Sequence, residues 1–307
     1  MNGWRYYIIL TAAFLLLGML PKVAGSYFLQ VADIILIYMT LAISWDMLLR
    51  AGQISFGMAG LCGLGGYAAA LSHLNWDLNP VTSIFFAGLA AAVVALFIGL
   101  AVLRLRSTYF AIVTLAIAEI FKVIVRNLPE QMGGVEGLIL PDAIFNGDPA
   151  RTYWLVLAMT AGAVALSEMF QKTRIRFALT SIRNDEIVAQ STGINVFKYL
   201  VFAFVLTSAI QGIAGGVFAH VYAFVMPESS FSLEFSLLPL TMVILGGMHS
   251  TWGAVTGAVI LGGVGEYLKL HIPYGHLIVY GLIVVLAILY FPKGIVGTLQ
   301  QKFQKRS

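Results

Sequence analysis

Charged residues are scarce in this sequence. Only 10% of its 307 residues are charged, whereas 60% are hydrophobic. A soluble domain usually carries about 25% charged and about 45–50% apolar residues. This composition therefore excludes a water-soluble globular fold. It predicts an all-α polytopic membrane protein, because lipid must solvate most of the chain and helices satisfy their own backbone hydrogen bonds.

Cysteine, metal-binding and catalytic patterns are also scarce. Cys62 is the only cysteine, which excludes an internal disulfide and a cysteine-based metal or redox site. The histidines lack the four-residue spacing of a helical metal pair. They are His73, His220, His249, His271 and His276. No nucleophile–base pair and no pair of catalytic acids stands out either, so we expect no metal site and no catalytic centre in this chain.

The sequence contains no phosphate-binding loop. The pattern G-x-x-x-x-G-K-[S/T] occurs nowhere in it, so the chain has no P-loop to cradle ATP. We therefore expect no cofactor in this chain, and an ATP-driven function requires a separate ATPase.

Long apolar runs dominate the rest of the sequence. They predict ten transmembrane or re-entrant helices, at about 6–20, 28–49, 53–72, 81–103, 108–126, 152–170, 199–225, 234–248, 252–270 and 275–291. The first and eighth runs are shorter than the roughly 20 residues of a straight span, and the third is rich in glycine, so each of these either crosses or re-enters. We expect the N-terminal run to be retained as a span, with a cleaved signal peptide as the alternative.

Lysine and arginine cluster beside particular ends of these runs. Cytoplasmic loops carry an excess of these residues, which places the following parts inside: Arg50, Arg104, Arg106, the loop 171–198 and the basic tail 292–307. The connection 127–150 contains acids and no base, which places it outside. Ten crossings satisfy both placements with cytoplasmic N- and C-termini, and eight crossings with two re-entrant pieces keep the same parity. The net charge of +4 follows from this topology and needs no nucleic-acid partner.

The loop 171–198 divides the ten predicted helices into two groups of five. An odd number of crossings in each group makes the two halves run in opposite directions. Each half also contains a glycine-rich, interrupted element, GQISFGMAGLCGLGGYAAA at 52–70 and LPLTMVILGGMHSTWGAVTGA at 238–258. Matched interruptions indicate an inverted repeat with the transport pathway between the repeats, although small residues also serve ordinary close helix packing.

A polar stretch, SIRNDEIVAQSTGINVFKYL at 181–200, separates the apolar runs on either side. Residues 182–192 contain no proline or glycine, so they predict one short surface helix that ends before Gly193, with Asn195 beginning the next helix. Three polar side chains share one side of such a helix: Arg183, Glu186 and Gln190. A helix this short and polar is unstable alone, so it needs a partner, either its own protein or another chain.

The same stretch carries a resemblance to a known family. ALTSIRNDEIVAQSTGINVFKYLVFAFVLTSAIQGIAGG resembles the cytoplasmic loop and following helix of permease subunits from ABC importers of the branched-chain amino acid type. In that family the loop is the coupling helix, which binds a groove of the ATPase subunit. Here Glu186 and Gly193 are seven positions apart rather than six, and Ile-Val replaces the family's alanine pair. The coupling residues that the resemblance implies are Arg183, Asp185, Glu186, Ala189, Gln190, Gly193 and Asn195.

Four further blocks, in order from residue 52 to residue 258, extend the resemblance. GQISFGMAGLCGLGGYAAA resembles the family's glycine-rich third segment, and RSTYFAIVTLAIAEI at 106–120 resembles the segment after the cytoplasmic arginines. MGGVEGL resembles the external threonine-glycine-glycine loop, with Met132 in place of the threonine. SLLPLTMVILGGMHSTWGAVTGA resembles the late segment that contains a glycine pair. The arginine-rich loop and short external loop resemble the second of the two non-identical permeases that pair in these importers.

The resemblance implies a function and a set of partners. Residues 1–307 are expected to form a single transmembrane permease domain of an ABC importer in a bacterial-type inner membrane. The partners are then a second permease, two ATPase subunits that hold ATP and magnesium, and an extracytoplasmic substrate-binding protein. The implied cargo is a branched-chain or other hydrophobic amino acid. Related permeases carry urea, short amides or aromatic acids, and these cargoes stay open.

Two sets of candidate site residues follow from these segments. The pathway candidates are polar or glycine residues on the interrupted elements and their neighbours: Gln53, Ser55, Thr114, Glu119, Thr241, Gly246 and Gly247. The candidates for docking of the binding protein lie in the external loop: Gly133, Gly134, Glu136 and Asp142.

Acidic residues inside the apolar runs leave an alternative open. Glu119 lies three residues before Lys122, and the two either form a structural ion pair or take part in transport. Asp46, four residues before Arg50, is expected to be structural. The alternative from another class is an ion-coupled secondary transporter that uses Glu119 or Asp33. That alternative leaves the polar stretch 181–200 without a partner.

Overall fold

The computed structural model of the chain describes residues 14, 16–105, 107–141, 144–272, 275–290 and 294–298. Helices account for most of these residues, which confirms the predicted all-α class. The principal helices are α1 (Ser26–Leu49), α2 (Met58–Trp76), α3 (Pro80–Val102), α4 (Ser107–Arg126), α5 (Pro149–Lys172), α6 (Arg174–Asn184), α7 (Glu186–Ser191), α8 (Val196–Tyr222), α9 (Glu234–Gly246), α10 (Thr251–His271) and α11 (His276–Tyr290). Two short strands, β1 (Leu138–Ile139) and β2 (Phe224–Val225), form an antiparallel pair.

Six of the described helical segments are long and apolar enough to cross a membrane. They are Ser26–Leu49, Pro80–Val102, Thr108–Arg126, Pro149–Lys172, Val196–Tyr222 and Pro227–Gly246. The chain is therefore a polytopic helical membrane protein. The predicted number of ten crossings stays a prediction, because these six do not reach it and the run 6–20 lies largely outside the described residues.

Two of the spans begin with the same local signal, a capping side chain followed by proline. Asn79 accepts a hydrogen bond from the N–H of Val81 at 3.1 Å before α3 begins. Asp148 accepts one from the N–H of Ala150 at 2.9 Å before α5 begins. A side chain that caps the free N–H groups and a proline with a helical φ together fix where a helix starts.

The long helices α1 and α8 pack on helices from distant parts of the chain. α1 contacts α5, α9 and α10, whereas α8 contacts α2 and α3. The approach of α8 to α2 depends on glycine. A Cβ on Gly215 would collide with the carbonyl oxygen of Cys62, and a Cβ on Gly65 would collide with the backbone of Gly212. Small residues at such crossings bring two backbones into direct van der Waals contact, which is a main source of attraction between helices in lipid.

Both predicted glycine-rich elements are interrupted. The first interruption, residues 50–57, separates α1 from α2, so the helix begins at Met58 and not at the start of the predicted run 53–72. Gly52 in this interruption has a φ of +78°, a left-handed conformation that glycine adopts readily. The second interruption, residues 247–250, separates α9 from α10. The first interruption overlaps the start of the predicted element 52–70, and the second lies inside the predicted element 238–258.

α8 spans the distance between two ends of the molecule. It has 27 residues and, at about 1.5 Å per residue, is roughly 40 Å long. α6 and α7 precede its first residue, Val196, whereas its last residue, Tyr222, leads into β2. Because β2 pairs with β1 of the connection 127–150, that connection and α7 lie at opposite ends of the molecule.

Candidate coupling surface and transport pathway

The prediction of one continuous helix over 182–192 is wrong, because α6 and α7 meet at Asp185. The backbone of Asp185 is extended, with φ −159° and ψ 114°. Its Oδ1 accepts hydrogen bonds from the N–H groups of Ile187 and Val188, at 2.9 and 3.1 Å. A carboxylate that satisfies the first N–H groups of a new helix competes with continuation of the previous one, and here the cap prevails.

This break divides the predicted coupling residues between two helices. Arg183 lies in the last turn of α6, whereas Glu186 and Gln190 lie on α7 and are exposed. The predicted polar stripe of three residues therefore does not form one helix face. Ala189 is fully buried, so it packs α7 against its own protein and is not available to a partner.

Gly193 follows the end of α7, as predicted. Its φ is +84°, and its N–H donates to the carbonyl of Gln190 at 3.0 Å. The N–H of Ile194 donates to the carbonyl of Ala189 at 3.1 Å, which completes a Schellman motif. Asn195 then caps α8 with its side chain. Local hydrogen bonds thus fix both ends of α7 without a partner.

α7 also exposes two apolar side chains that the sequence analysis does not single out. Ile187 is 79% exposed and Val188 is 57% exposed. In the sequence they form an apolar pair inside a charged segment, at the place where the family has an alanine pair. The two side chains form an exposed apolar surface on a helix that lies outside the six candidate spans.

A buried polar network joins α1, α5 and the second interruption. Arg50 forms an ion pair with Asp46 at 2.6 Å, and it donates to the Thr251 hydroxyl at 3.2 Å and to the Ser167 carbonyl at 3.3 Å. Asp46 also accepts the backbone N–H of His249 at 2.6 Å. Asp46, Ser167 and Thr251 are fully buried. The Asp46–Arg50 pair therefore holds the second interruption against α1 and α5, in addition to bonding along its own helix.

α6 packs against the first interruption and faces the second across a cleft. A Cβ on Gly52 would lie 3.1 Å from the Cα of Arg183, so the first interruption packs directly against α6. Arg176 and Arg183 of α6 also line an open cleft of about 550 Å³ together with His249 of the second interruption. Partial burial lowers the pKa of the His249 imidazole, and the charge of Arg183 lowers it further. α6 is therefore the element that lies next to both interruptions.

Three of the pathway candidates belong to the first interruption and its contact with α4. The Thr114 hydroxyl accepts the N–H of Phe56 at 3.2 Å, and the Ser55 carbonyl accepts the indole N–H of Trp45 at 3.1 Å. Gln53 is buried, and its Oε1 has no hydrogen-bond partner among the described residues. These bonds fix the interruption between α1 and α4.

The remaining pathway candidates lie elsewhere. Thr241 lies on α9, and Gly246 and Gly247 lie at its end, where a Cβ on Gly246 would collide with the backbone of α10. Glu119 forms an ion pair of 2.7 Å with Lys122 on the same helix, and its side chain is 45% exposed. The structure thus places the pathway candidates in separate groups and does not gather them into one site.

The predicted docking residues lie at the end opposite α7, beside the strand pair. Gly133 and Gly134 follow the short helix Pro129–Met132 and have φ values of +70° and +54°. Gly134 is buried, so it shapes the backbone, whereas Glu136 is exposed and offers its carboxylate to a partner. Asp142 lies outside the described residues.

The fold and its two polar ends define a multi-pass helical membrane protein. Residues 27–290 match the family described as branched-chain amino acid transport system / permease component, and the chain belongs to this family. It is therefore a transport subunit and not an enzyme.

The permease protein LivM of the high-affinity branched-chain amino acid transport system of Escherichia coli (strain K12) is 27% identical over 94% of this chain and 74% of that protein. LivM of Salmonella typhimurium is 28% identical over the same shares. LivH of Salmonella typhimurium is 29% identical, but over 47% of this chain and 46% of that protein. These matches confirm the expected resemblance to permeases of branched-chain amino acid importers, and the match to LivM covers about twice as much of this chain as the match to LivH. No solved structure matches the chain.

Proposed function

We propose that this chain is one of two paired transmembrane permeases in an ABC importer for branched-chain or other hydrophobic amino acids. The match of residues 27–290 to the permease family carries the proposal. The relatives are named for branched-chain amino acid transport, which favours this cargo over urea, short amides and aromatic acids. They give no support to the ion-coupled alternative.

In this proposal two separate ATPase subunits hold ATP and magnesium and bind at α7. The sequence has no phosphate-binding loop of its own. α7 is a locally capped helix that exposes Ile187 and Val188 between the polar side chains of Glu186 and Gln190. Helices that bind in a groove of a partner present apolar side chains in this way. The loop 171–198 is then the coupling loop on the cytoplasmic side.

The extracytoplasmic binding protein docks at the other end, on the connection 127–150. Two observations support this side. The connection lacks lysine and arginine, as external loops do, and it lies about 40 Å from α7, the length of α8. The same assignment gives a chain in a bacterial-type inner membrane with both termini and the basic tail 292–307 in the cytoplasm.

We also propose the inverted repeat of two five-helix halves within a single permease domain, 1–307. Exchanging α1 with α8, α2 with α9 and α3 with α10 converts the contacts of α1 with α9 and α10 into the contacts of α8 with α2 and α3. The contact between α2 and α3 corresponds in the same way to the contact between α9 and α10. This correspondence supports ten crossings, of which the first lies largely outside the described residues.

The proposed mechanism follows from the position of α6. Closure of the ATPases displaces α7 and α6 together, and α6 packs against the first interruption and faces the second across the cleft. Interrupted helices at the interface of two repeats are the elements that change between outward and inward access. The pathway candidates on both interruptions, from Gln53 to Gly247, then lie where the pathway opens and closes.

The test compares the complete importer with the chain alone in proteoliposomes. We expect labelled leucine to enter only when ATP is present with the ATPases and loaded binding protein is present on the opposite side. The purified chain alone hydrolyses no ATP. Leucine uptake by the chain alone under an ion gradient, or ATP hydrolysis that survives removal of every other subunit, contradicts the proposal.

A further inference from the structure

An open cavity lies between α2 and α4, near the end that carries the connection 127–150. Leu64, Tyr67, Ala68 and Leu71 line it from α2, at the spacing of one helix face. The rest of the lining is apolar: Phe121, Ile124, Val125, Met132 and Phe231. A cavity with such walls favours an apolar occupant, because it offers almost no hydrogen-bond partners.

Among the residues that line this cavity, Tyr67 has the one polar side-chain group, its hydroxyl. The residue is 3% exposed, and its ring stacks on Phe231 with the ring centroids 5.8 Å apart. Its hydroxyl is buried and has no hydrogen-bond partner in the part of the chain that the structure describes. The hydroxyl is not exposed to the cavity, so Tyr67 contributes apolar surface to its wall.

An ion pair joins the two elements that close the cavity. Arg126 directly follows the lining residue Val125, and its Nη1 lies 3.2 Å from Oε1 of Glu228, three residues before the lining residue Phe231. The two side chains are 44% and 48% exposed. Because an exposed ion pair contributes little to stability, each charge exchanges its partner easily for a carboxylate or an ammonium group of a ligand.

We propose that this cavity is an entry subsite for the cargo, an amino acid with a large apolar side chain. The side chain occupies the cavity, the carboxylate of the amino acid contacts Arg126, and its ammonium group contacts Glu228. This inference rests on the proposed function and adds the residues that select for apolar side chains. A free amino acid carries both charges at one end of its side chain, which matches an apolar cavity with an ion pair at its rim.

The first experiment fills the cavity and leaves the rim charges in place. In the complete importer, with the binding protein saturated by leucine or by alanine in turn, Ala68→Phe lowers the ratio of leucine to alanine uptake by about tenfold. Ala68→Leu fills less of the cavity and is expected to lower the uptake ratio less. It replaces Ala68→Phe in the test if the phenylalanine variant does not fold. The control is Ala158→Phe on the exposed face of α5, which keeps the ratio of the unsubstituted importer.

The second experiment asks directly what enters the cavity. A leucine analogue with a diazirine in its side chain is expected to crosslink to peptides that contain Leu71 or Phe121, and excess leucine is expected to suppress the crosslink. An unchanged uptake ratio in both Ala68 variants overturns the proposal. A crosslink that leucine does not suppress, or labelling of these peptides by a photoreactive acyl-chain lipid, does the same. An unsubstituted importer that takes up neither amino acid contradicts the proposed function instead.

Discussion

Arg50 and Thr251 lie 201 positions apart in the chain and are joined by a hydrogen bond of 3.2 Å between guanidinium and hydroxyl. The bond connects the first residue after α1 to the first residue of α10, which directly follows the second interruption. The ion pair between Arg50 and Asp46 is buried at the same point. Water therefore cannot compensate the charge of the fully buried Asp46 carboxylate if Arg50 is removed.

Arg50→Met is expected to destabilise the protein strongly, because it leaves the buried Asp46 carboxylate without a counter-charge. Removal of one partner of a buried ion pair typically costs about 3–5 kcal/mol. Thermal unfolding of the purified importer in detergent measures the loss. The control, Arg151→Met, removes an ion pair with Asp148 whose side chains are 65% and 41% exposed, and it is expected to change little. Similar losses in the two variants contradict a special role for the network.

Ile187→Asp is expected to weaken the association of the ATPase subunits. In the proposed complex, the substitution places a charge where the exposed apolar surface of α7 binds the ATPase, and a loss of about 1.4 kcal/mol reduces affinity about tenfold. Co-purification of the ATPases with the permease pair measures it. The matched control is Ile139→Asp, at an apolar residue that is 73% exposed at the opposite end. Full recovery of the ATPases with Ile187→Asp means that α7 does not bind them.

Gly193→Val is expected to uncouple ATP hydrolysis from uptake. The φ of +84° strains a β-branched residue, at a cost of about 1–2 kcal/mol, although nothing lies within 4 Å of the added Cβ. The effect is therefore one of backbone shape at the end of α7. Gly193→Asn, which tolerates the left-handed conformation, keeps uptake and stimulated hydrolysis. If valine and asparagine behave alike, the turn does not transmit force.

Gly215→Ala is expected to separate α8 from α2, because its Cβ would collide with the carbonyl oxygen of Cys62. Overpacking of this kind typically costs about 1–3 kcal/mol. Gly162→Ala on α5 is the control, since nothing lies within 4 Å of its added Cβ. Its expected effect is a gain of about 0.5–1 kcal/mol from the better helix former. Unfolding temperatures that fall equally for both variants contradict the close approach.

Cysteines at Asn146 and Gln190 are expected to lie on opposite sides of the membrane. Both positions are exposed, and the native Cys62 is buried, so background labelling is low. An impermeant thiol reagent labels Asn146→Cys in cells whose outer membrane is permeabilised. It labels Gln190→Cys only after the inner membrane is opened. The reverse pattern inverts the proposed topology.

Hydropathy predicts the helices of this chain well, and local chemistry predicts some of its turns. Apolar runs such as 81–103 and 108–126 coincide with α3 and α4 to within a residue or so, because lipid selects apolar composition over the whole length of a span. The left-handed residue after α7, Gly193, follows from its own lack of a Cβ. Such features depend on a few neighbouring residues and are visible in the sequence.

Contacts between distant segments are not visible in the same way. Nothing near Arg50 indicates that Thr251 is its partner, because the contact arises only when α10 packs on α1. The break at Asp185 is not predictable from the sequence for another reason. Aspartate occurs both inside helices and at helix N-caps, and the surrounding packing decides between the two. The cavity between α2 and α4 likewise requires two helices in register before its walls exist.

α8 is one continuous helix between the two proposed partner surfaces. Asn195 caps its first turn directly after α7, and after its last residue β2 is paired with β1 of the connection 127–150. A displacement of one end of α8 is thus transmitted to the other end through one continuous helix. Linkage makes such a coupling reciprocal. If loaded binding protein favours the closed ATPase dimer by a given factor, nucleotide in that dimer must tighten the grip on the binding protein by the same factor.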